Sequence, residues 1–458
     1  MKKLVYLVTS LLTLGLLSSL SFAQPAGDPD AAAFRDAFLA GELSWDDVLA
    51  RAAEEGEVNW FHWGGSDNLN TWIDTVVAPQ LADLGVTLQT SRIPNTRDAV
   101  DLVLADAAAD RGVGQGSVDA IWINGENFFT LASQDLTLGS YADKLPNSVY
   151  FNFDASDPAS GVNLFDFGYP TELREVPWSG GQYICFIDTA RLPRENAPSS
   201  YADLEEWLRN DPGRFTYVRP PHFQGNTFVQ SVLYAHNPDG TGAEPFQRNA
   251  SDFTAEEFTA LVTPGFEYLK RIEPFVLGGG GADGDRGSPI YPEDNNANET
   301  LLVNGEVDMQ CRFGIYSVAV GIENGTLAET TENIIFPAGN MIKNKNFIGI
   351  PANSPNPAAA LVLANVLSDP ANQISKLAEI VYDLGVDVPL LNDADQAAVV
   401  EAAPNLHGVT FQGLAEATVP DTNSSLVDVI ETVWIEYIER QSSDSLADIV
   451  AAALAGSN

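Results

Sequence analysis

Basic residues are scarce in this 458-residue chain: 23 Lys and Arg stand against 63 Asp and Glu, giving a formal net charge of -40. Phosphate backbones and anionic headgroups repel so acidic a surface, which excludes nucleic acid and anionic membranes as partners. Lysine supplies only 7 of the basic residues, a balance that fits a salt-exposed surface as well as an ordinary acidic exported one. Cysteine is nearly absent. Cys185 and Cys311 cannot build a tetrahedral cysteine-based zinc site, and in an oxidising compartment they either bridge or stay buried as thiols. Beyond residue 20 no run reaches the ~20 apolar residues needed to span a bilayer. Disorder is excluded by 45% hydrophobic and 10% aromatic residues, which supply a large core.

Catalytic signatures are missing as well. No Gly-Lys pair occurs, so there is no Walker A loop, and no Gly-x-Ser-x-Gly elbow is present. Gly279-x-Gly281-x-x-Gly284 has the dinucleotide spacing, but Pro289 follows and no helix opens there. Asp283 and Asp285 resemble a calcium loop whose sixth and twelfth positions, Ser288 and Asp294, are the wrong residues. His62, His222, His236 and His407 lie in no metal or protease motif. The expectation is a protein without catalytic residues, metal or cofactor.

What is present begins with a signal sequence. Lys2 and Lys3, an apolar stretch from Leu4 to Leu20, and Ser21-Phe22-Ala23 predict export with cleavage after Ala23. No cysteine follows to carry a lipid, so the mature chain is expected to be periplasmic and unanchored. A helical segment over 24–56 comes next, with Ser44 as cap and Gly56 as stop.

Strands and helices then alternate. Val58 to Trp63, Val86 to Ile93 and Val118 to Ile123 read as strands separated by helices, a rhythm of parallel strands with right-handed crossovers. Residues 141–176 lose periodicity and read as a surface connection. A second unit follows, with strands at Gln182 to Ile187, Arg214 to Val218, Val307 to Phe313, Ile334 to Pro337 and Phe347 to Pro351. Its helices are predicted at Asn226 to Tyr234, over 294–304 and over 424–455.

Ligand-holding chemistry gathers where strands end, which is where open α/β sheets present their crevices. Trp63, Gly65 and Ser66 follow the first strand. Asn124, Glu126 and Asn127 follow the third. Gly225, Asn226 and Thr227 open a helix of the second unit, and Phe313 and Tyr316 lie past a later strand. Trp178, where the first unit crosses to the second, is expected to expose its ring for stacking. Helix N-termini favour an anionic group, Glu126 a cationic one and the aromatics a ring or sugar face, so the solute's charge stays open.

These residues carry a resemblance. The stretches Trp60-x-x-Trp63-Gly-Gly-Ser66, Val118-Asp-Ala-Ile-Trp-Ile-Asn-Gly-Glu-Asn127, Pro177-Trp178, Asn210-Asp-Pro-Gly-Arg-Phe-Thr216 with Pro220-Pro221, Asn304-Gly-Glu-Val-Asp308 and Asn346-Phe-Ile-Gly-Ile-Pro351 are similar to those of extracellular solute-binding proteins of bacterial ABC importers. The YnjB-like branch is the nearest in pattern, over roughly residues 57–440; where it usually has a small residue before Phe313, this chain has Cys311 and Arg312.

The resemblance implies a two-lobed periplasmic-binding-protein fold of two doubly wound α/β sheets with a hinge, and a small polar solute delivered to a cognate ABC permease. It implies crossings near Trp178 and near Phe347 to Pro351. One lobe is then 57–177 plus 350–392 and the other 178–349 plus 393–458, and a monomer is expected. A secreted hydrolase using cleft carboxylates and a non-transport surface protein are the alternatives.

Overall fold

The computed structural model describes residues 27–157, 160–281, 287–335 and 343–456. The expected signal sequence lies outside them, as do the calcium-like Asp283 and Asp285 and the end of the strand expected at 334–337.

Three strands open the fold: β1 (Glu57–Trp63), β2 (Thr87–Ile93) and β3 (Ala120–Ile123). β1 pairs in parallel with both others, as the alternating rhythm requires. Period-two alternation along β1 sends Val58 and Trp60 to one face and Phe61 to the other. The first face buries Leu69, Trp72, Ile73, Val77 and the helix Pro357–Leu367. The second buries Val100, Val103, Phe128 and Leu131. Helices therefore cover both faces, which is why these strands are apolar throughout. The N-terminal helices Pro29–Leu39 and Trp45–Glu55 add Phe38, Val48 and Ala52 to the first face. Ser44 and Asp47 form the capping box that starts the second of these helices, and Gly56, at φ 77°, ends it.

The segment 141–176 is not a surface connection. Tyr141, Leu145, Asn163, Asp166, Thr171 and Glu175 are buried. It lacks a readable period because short 3-10 turns carry it, together with a hairpin of two-residue strands, β4 (Phe165–Asp166) and β5 (Tyr169–Pro170).

The strand expected from Gln182 begins earlier. β6 runs 14 residues, Glu175–Asp188. Its first half pairs antiparallel with β9 (Lys343–Gly349), which also pairs with β3. Its second half pairs with β7 (Met309–Phe313) on one edge and β8 (Thr331–Ile334) on the other. The sheets of the two α/β units share β6 and so run together through seven strands, six in the order β2-β1-β3-β9-β6-β7 and the seventh, β8, paired to β6 off that path.

Around the far half a second core forms from Tyr183, Cys185, Ile187, Phe228, Val262, Phe266, Val433 and Trp434. Cys185 and Cys311 stand directly opposite in the β6 and β7 register and are disulfide-bonded, with Cα atoms 3.9 Å apart. Arg214 to Val218 does not form the expected strand; within it Phe215 makes one bridge to Met309. Its backbone is spent elsewhere: Arg214 O accepts from Asp308 N at 2.8 Å and Phe215 O from Leu277 N at 2.9 Å.

Candidate functional site

At the end of β1, Gly64 N donates to Ile93 O at 3.1 Å, extending the ladder into the loop. A Cβ on Gly65 would lie 2.2 Å from the Trp63 ring, so glycine lets that ring fold over the backbone. Trp63 is 37% exposed and meets Trp122 edge-on at 6.3 Å. Ser66 Oγ accepts from Leu69 N at 3.3 Å and caps the helix Asp67–Trp72.

At the end of β3, Asn124 donates through Nδ2 to Asn346 Oδ1 at 3.1 Å, and Asn346 Nδ2 donates to Ser179 Oγ at 3.0 Å. A polar chain thus links β3's end to β9 and β6. Gly125, at φ 60°, starts the helix Gly125–Ala132 and donates its N–H to Asp166 Oδ2 at 2.6 Å. The chain's own carboxylate therefore occupies a helix start expected to attract an anion. Glu126 is half-buried, and its Oε1 accepts from Nδ2 of the buried Asn127 at 2.9 Å. Burial pushes the Glu126 carboxyl up to about 7; Asp428 adds to the rise, and a backbone hydrogen bond and Arg97 oppose it.

In the far half the helix expected at Asn226 starts at Phe223, after His222, whose Nδ1 accepts from Gln224 N at 3.2 Å. A Cβ on Gly225 would lie 2.3 Å from Val218 O, so only glycine fits against that loop. Asn226 is buried and donates through Nδ2 to Glu431 Oε1 and, at 3.4 Å, to Pro221 O. Thr227 spends its hydroxyl on Phe223 O at 2.9 Å. Phe313 N donates to Gln224 Oε1 at 2.8 Å, and its ring lies 6.1 Å from that of Phe223, which is 52% exposed. Tyr316 is buried with Ile184, Leu377, Leu406 and Leu414, and burial pushes its hydroxyl up.

Trp178 corrects the expectation of an exposed stacking ring: its relative exposure is 0%. Trp60 and Trp122 meet it edge-on at 5.3 and 4.8 Å, and Tyr382 stacks on it at 6.0 Å. Its carbonyl accepts from Gln373 Nε2 at 2.7 Å and Lys376 Nζ at 2.6 Å. It sits at the bulge where the β6 and β9 register shifts, which ties the crossing strands to the following helix.

The arrangement joins the two halves where the helix Gly125–Ala132 meets the helix Ser424–Trp434. Ser424 N donates to Phe167 O at 2.6 Å beside that contact. Glu431 is pushed up to about 8 by burial, by the Glu126 charge and by Asp428, against the Asn226 hydrogen bond. Burial also raises Asp421 well above the usual range, with Asn344 opposing and Glu126 adding. Asp166 is raised by burial and by Asp421 and Glu126 against the Gly125 N–H, and Glu175 by burial and Asp166.

Glu431, Asp428, Asp421, Asp166 and Glu175 escaped sequence reasoning. Asp166 and Glu175 fall in the segment without periodicity. A signal for Glu431 was available: Asp428 and Glu431, three apart, interrupt an otherwise apolar helix of Leu426, Val427, Val429, Ile430, Val433 and Trp434.

Among the described residues no helix is long and apolar enough to cross a membrane, and no three His, Cys, Asp or Glu are grouped to hold a metal ion. Residues 76–408 match the family model of the bacterial extracellular solute-binding proteins. The chain is 31% identical over 366 residues to protein YnjB of Escherichia coli (strain K12), covering 79% of this chain and 83% of that one. Its fold is similar to an ABC transporter solute-binding protein of Thermotoga lettingae TMO bound with α-D-tagatose, with TM-score 0.60 and 12% identity, covering 88% of this chain and 98% of that one. A putative spermidine/putrescine ABC transporter protein of Listeria monocytogenes aligns with TM-score 0.54 and 14% identity, covering 83% and 99%. Such proteins bind small solutes and work with membrane permeases. The protein belongs to the bacterial extracellular solute-binding proteins and is the solute-binding component of an ABC transporter.

Proposed function

We propose that the solute is held between two lobes, residues 57–177 with 350–392 and residues 178–349 with 393–458, hinged on the paired strands β6 and β9. The N-terminal segment joins the first lobe, whose core takes in Phe38, Val48 and Ala52. The chain captures the solute outside the cytoplasmic membrane, in the periplasm, as an unanchored monomer. It passes the solute unaltered to its permease.

One observation carries this reading: the helix of Glu126, from the half that begins the fold, packs against the helix of Glu431, which Asn226 of the other half holds. A solute bonded to both sets favours the closed arrangement, by no more than its difference in affinity for the closed and open forms. A micromolar solute has about -8.2 kcal/mol in total, enough to shift a hinge whose closed form is the minor one by a few kcal/mol. Trp63, Phe223 and Phe313 line the mouth in this reading. Gly65, Ser66, Asn124, Asn127, Gly225 and Thr227 shape it through backbone and helix starts, while Trp178 and Tyr316 support it from the core. Small-angle scattering with and without bound solute tests this: the radius of gyration is expected to fall on binding, with the solute recovered unchanged. An unchanged radius, or a cleaved or oxidised product, would overturn it.

A further inference from the structure

The seam between the Gly125–Ala132 and Ser424–Trp434 helices gathers carboxyl groups from both sides. Glu126 comes from one side, and Asp428 and Glu431 from the other, with Asp421 just before that helix. Asp166 and Glu175 lie behind Gly125 and are 1% and 0% exposed. The cation acting on Glu126 and Asp428 is Arg97, whose Nε already bonds Asp101 at 2.7 Å.

A second observation is independent of the carboxylates. Asn226, 6% exposed, commits its amide nitrogen to Glu431 and Pro221, so its Oδ1 lies beside Glu431 without a partner among the described residues. One turn along the helix, the buried Gln230 Oε1 is unpartnered too, as are Asp166 Oδ1 and both oxygens of Glu175. Asn226 Oδ1 and Gln230 Oε1 can only accept, and the carboxyl oxygens accept once ionised. A buried unpaired acceptor is costly, so several together call for a donor-rich occupant.

An anion has little to bind at this helix start, since the Gly125 N–H is given to Asp166. A metal lacks a ligand group among the described residues. Phe223, exposed three residues before Asn226 and beside Phe313, offers a ring face to a carbon body next to a charge.

We propose that the solute is an organic cation bearing N–H donors, a primary or secondary amine, clamped between Glu126 on one lobe and Glu431 with Asn226 on the other. The proposal rests on the two-lobe reading and names the solute class of that site.

The test has two parts on protein purified without refolding. Small molecules released by denaturation are identified by mass spectrometry in both polarities. Emptied protein is then titrated with agmatine, 1,3-diaminopropane and ethanolamine, with choline as the amine lacking N–H, and with citrate, phosphate and glucose. We expect an amine among the released molecules, binding of N–H amines over choline, and at least tenfold weaker amine binding in each of Glu126→Gln and Glu431→Gln. Both variants are near-isosteric, and their melting temperatures show whether they fold. A released anion or neutral sugar, or amine binding that both folded variants keep, would overturn the cation assignment and leave solute binding standing. No released molecule together with no response to any class would overturn both.

Discussion

Two buried charged regions adjoin the β6 and β9 pair, and they are built in opposite ways. Beneath Trp178, Lys376 Nζ donates to the Trp178 carbonyl at 2.6 Å and lies 4.7 Å from the Trp178 ring and 5.5 Å from the Tyr382 ring. Lys345 Nζ donates to Gly385 O at 2.5 Å and lies 3.3 Å from Asp387 Oδ1. Gln373 completes the region, donating to Trp178 O and Leu367 O and accepting from Gly385 N at 2.7 Å. These cations are answered by carbonyls, a carboxylate and ring faces of the same chain. Across the seam the carboxyls take only neutral N–H donors, Asn127 at Glu126, Asn226 at Glu431 and Gly125 at Asp166, and other buried acceptors beside them have no partner among the described residues. Buried cations held in this way fix structure, whereas buried acceptors left without a partner mark a place where a donor can bind. In the proposed reading the contrast separates hinge from site.

The largest effect that would sharpen this contrast is Trp178→Ala. Removing a fully buried indole should cost about 3–5 kcal/mol of stability in denaturant unfolding, while the charge preference for solute stays the same in protein that remains folded. Little stability loss with lost stacking would return Trp178 to the site. Next in size, Glu126→Gln with Glu431→Gln should weaken amine binding about 100-fold by calorimetry, or about 2.7 kcal/mol, since charge-assisted hydrogen bonds are worth about 1.5–3 kcal/mol each.

The pH dependence follows from the raised carboxyls. The unfolded chain ionises Glu126 and Glu431 near 4.5, whereas the folded chain holds their protons to about 7 and about 8. Their contribution to stability is complete below pH 4.5 and is lost as pH rises to about 8, because the folded state binds more protons across that window. Asp166, Glu175 and Asp421, also raised, act with the same sign, and Arg97 opposes. Melting without solute should therefore fall across this range, and an amine should flatten the fall by favouring the ionised carboxylates. The smallest effect is Ser66→Ala, expected to cost about 1 kcal/mol of stability through its lost cap, with amine affinity unchanged.

The first half of the fold was legible because local signals agree there. Ser44, Asp47 and Gly56 bound a helix by capping chemistry, and β1, β2 and β3 follow from apolar runs broken by helical periods. The union of the sheets was hidden, because the Pro177-Trp178-Ser179-Gly180-Gly181 stretch inside β6 carries the marks of a turn while its partner β9 lies far along the chain. Glu126, Asn226 and Phe313, which the proposed site uses, were singled out by their places at strand and helix ends. Ser66 and Thr227 were found for the same reason, yet their hydroxyls serve their own helices. Asp166 and Asp421 were out of reach: a carboxylate in an acidic chain looks like any other until its burial is known.

The most direct measurement is the titration of the two glutamates themselves, by carboxyl-labelled glutamate NMR on the mature protein, with Glu126→Gln and Glu431→Gln assigning the signals. We expect midpoints near 7 and 8 in the emptied protein. With an amine bound, both should fall to the ordinary carboxylate range, because a cation favours the charged form. Midpoints that stay put when solute binds, or that are already ordinary without it, would contradict the claim that these carboxylates form the solute's site.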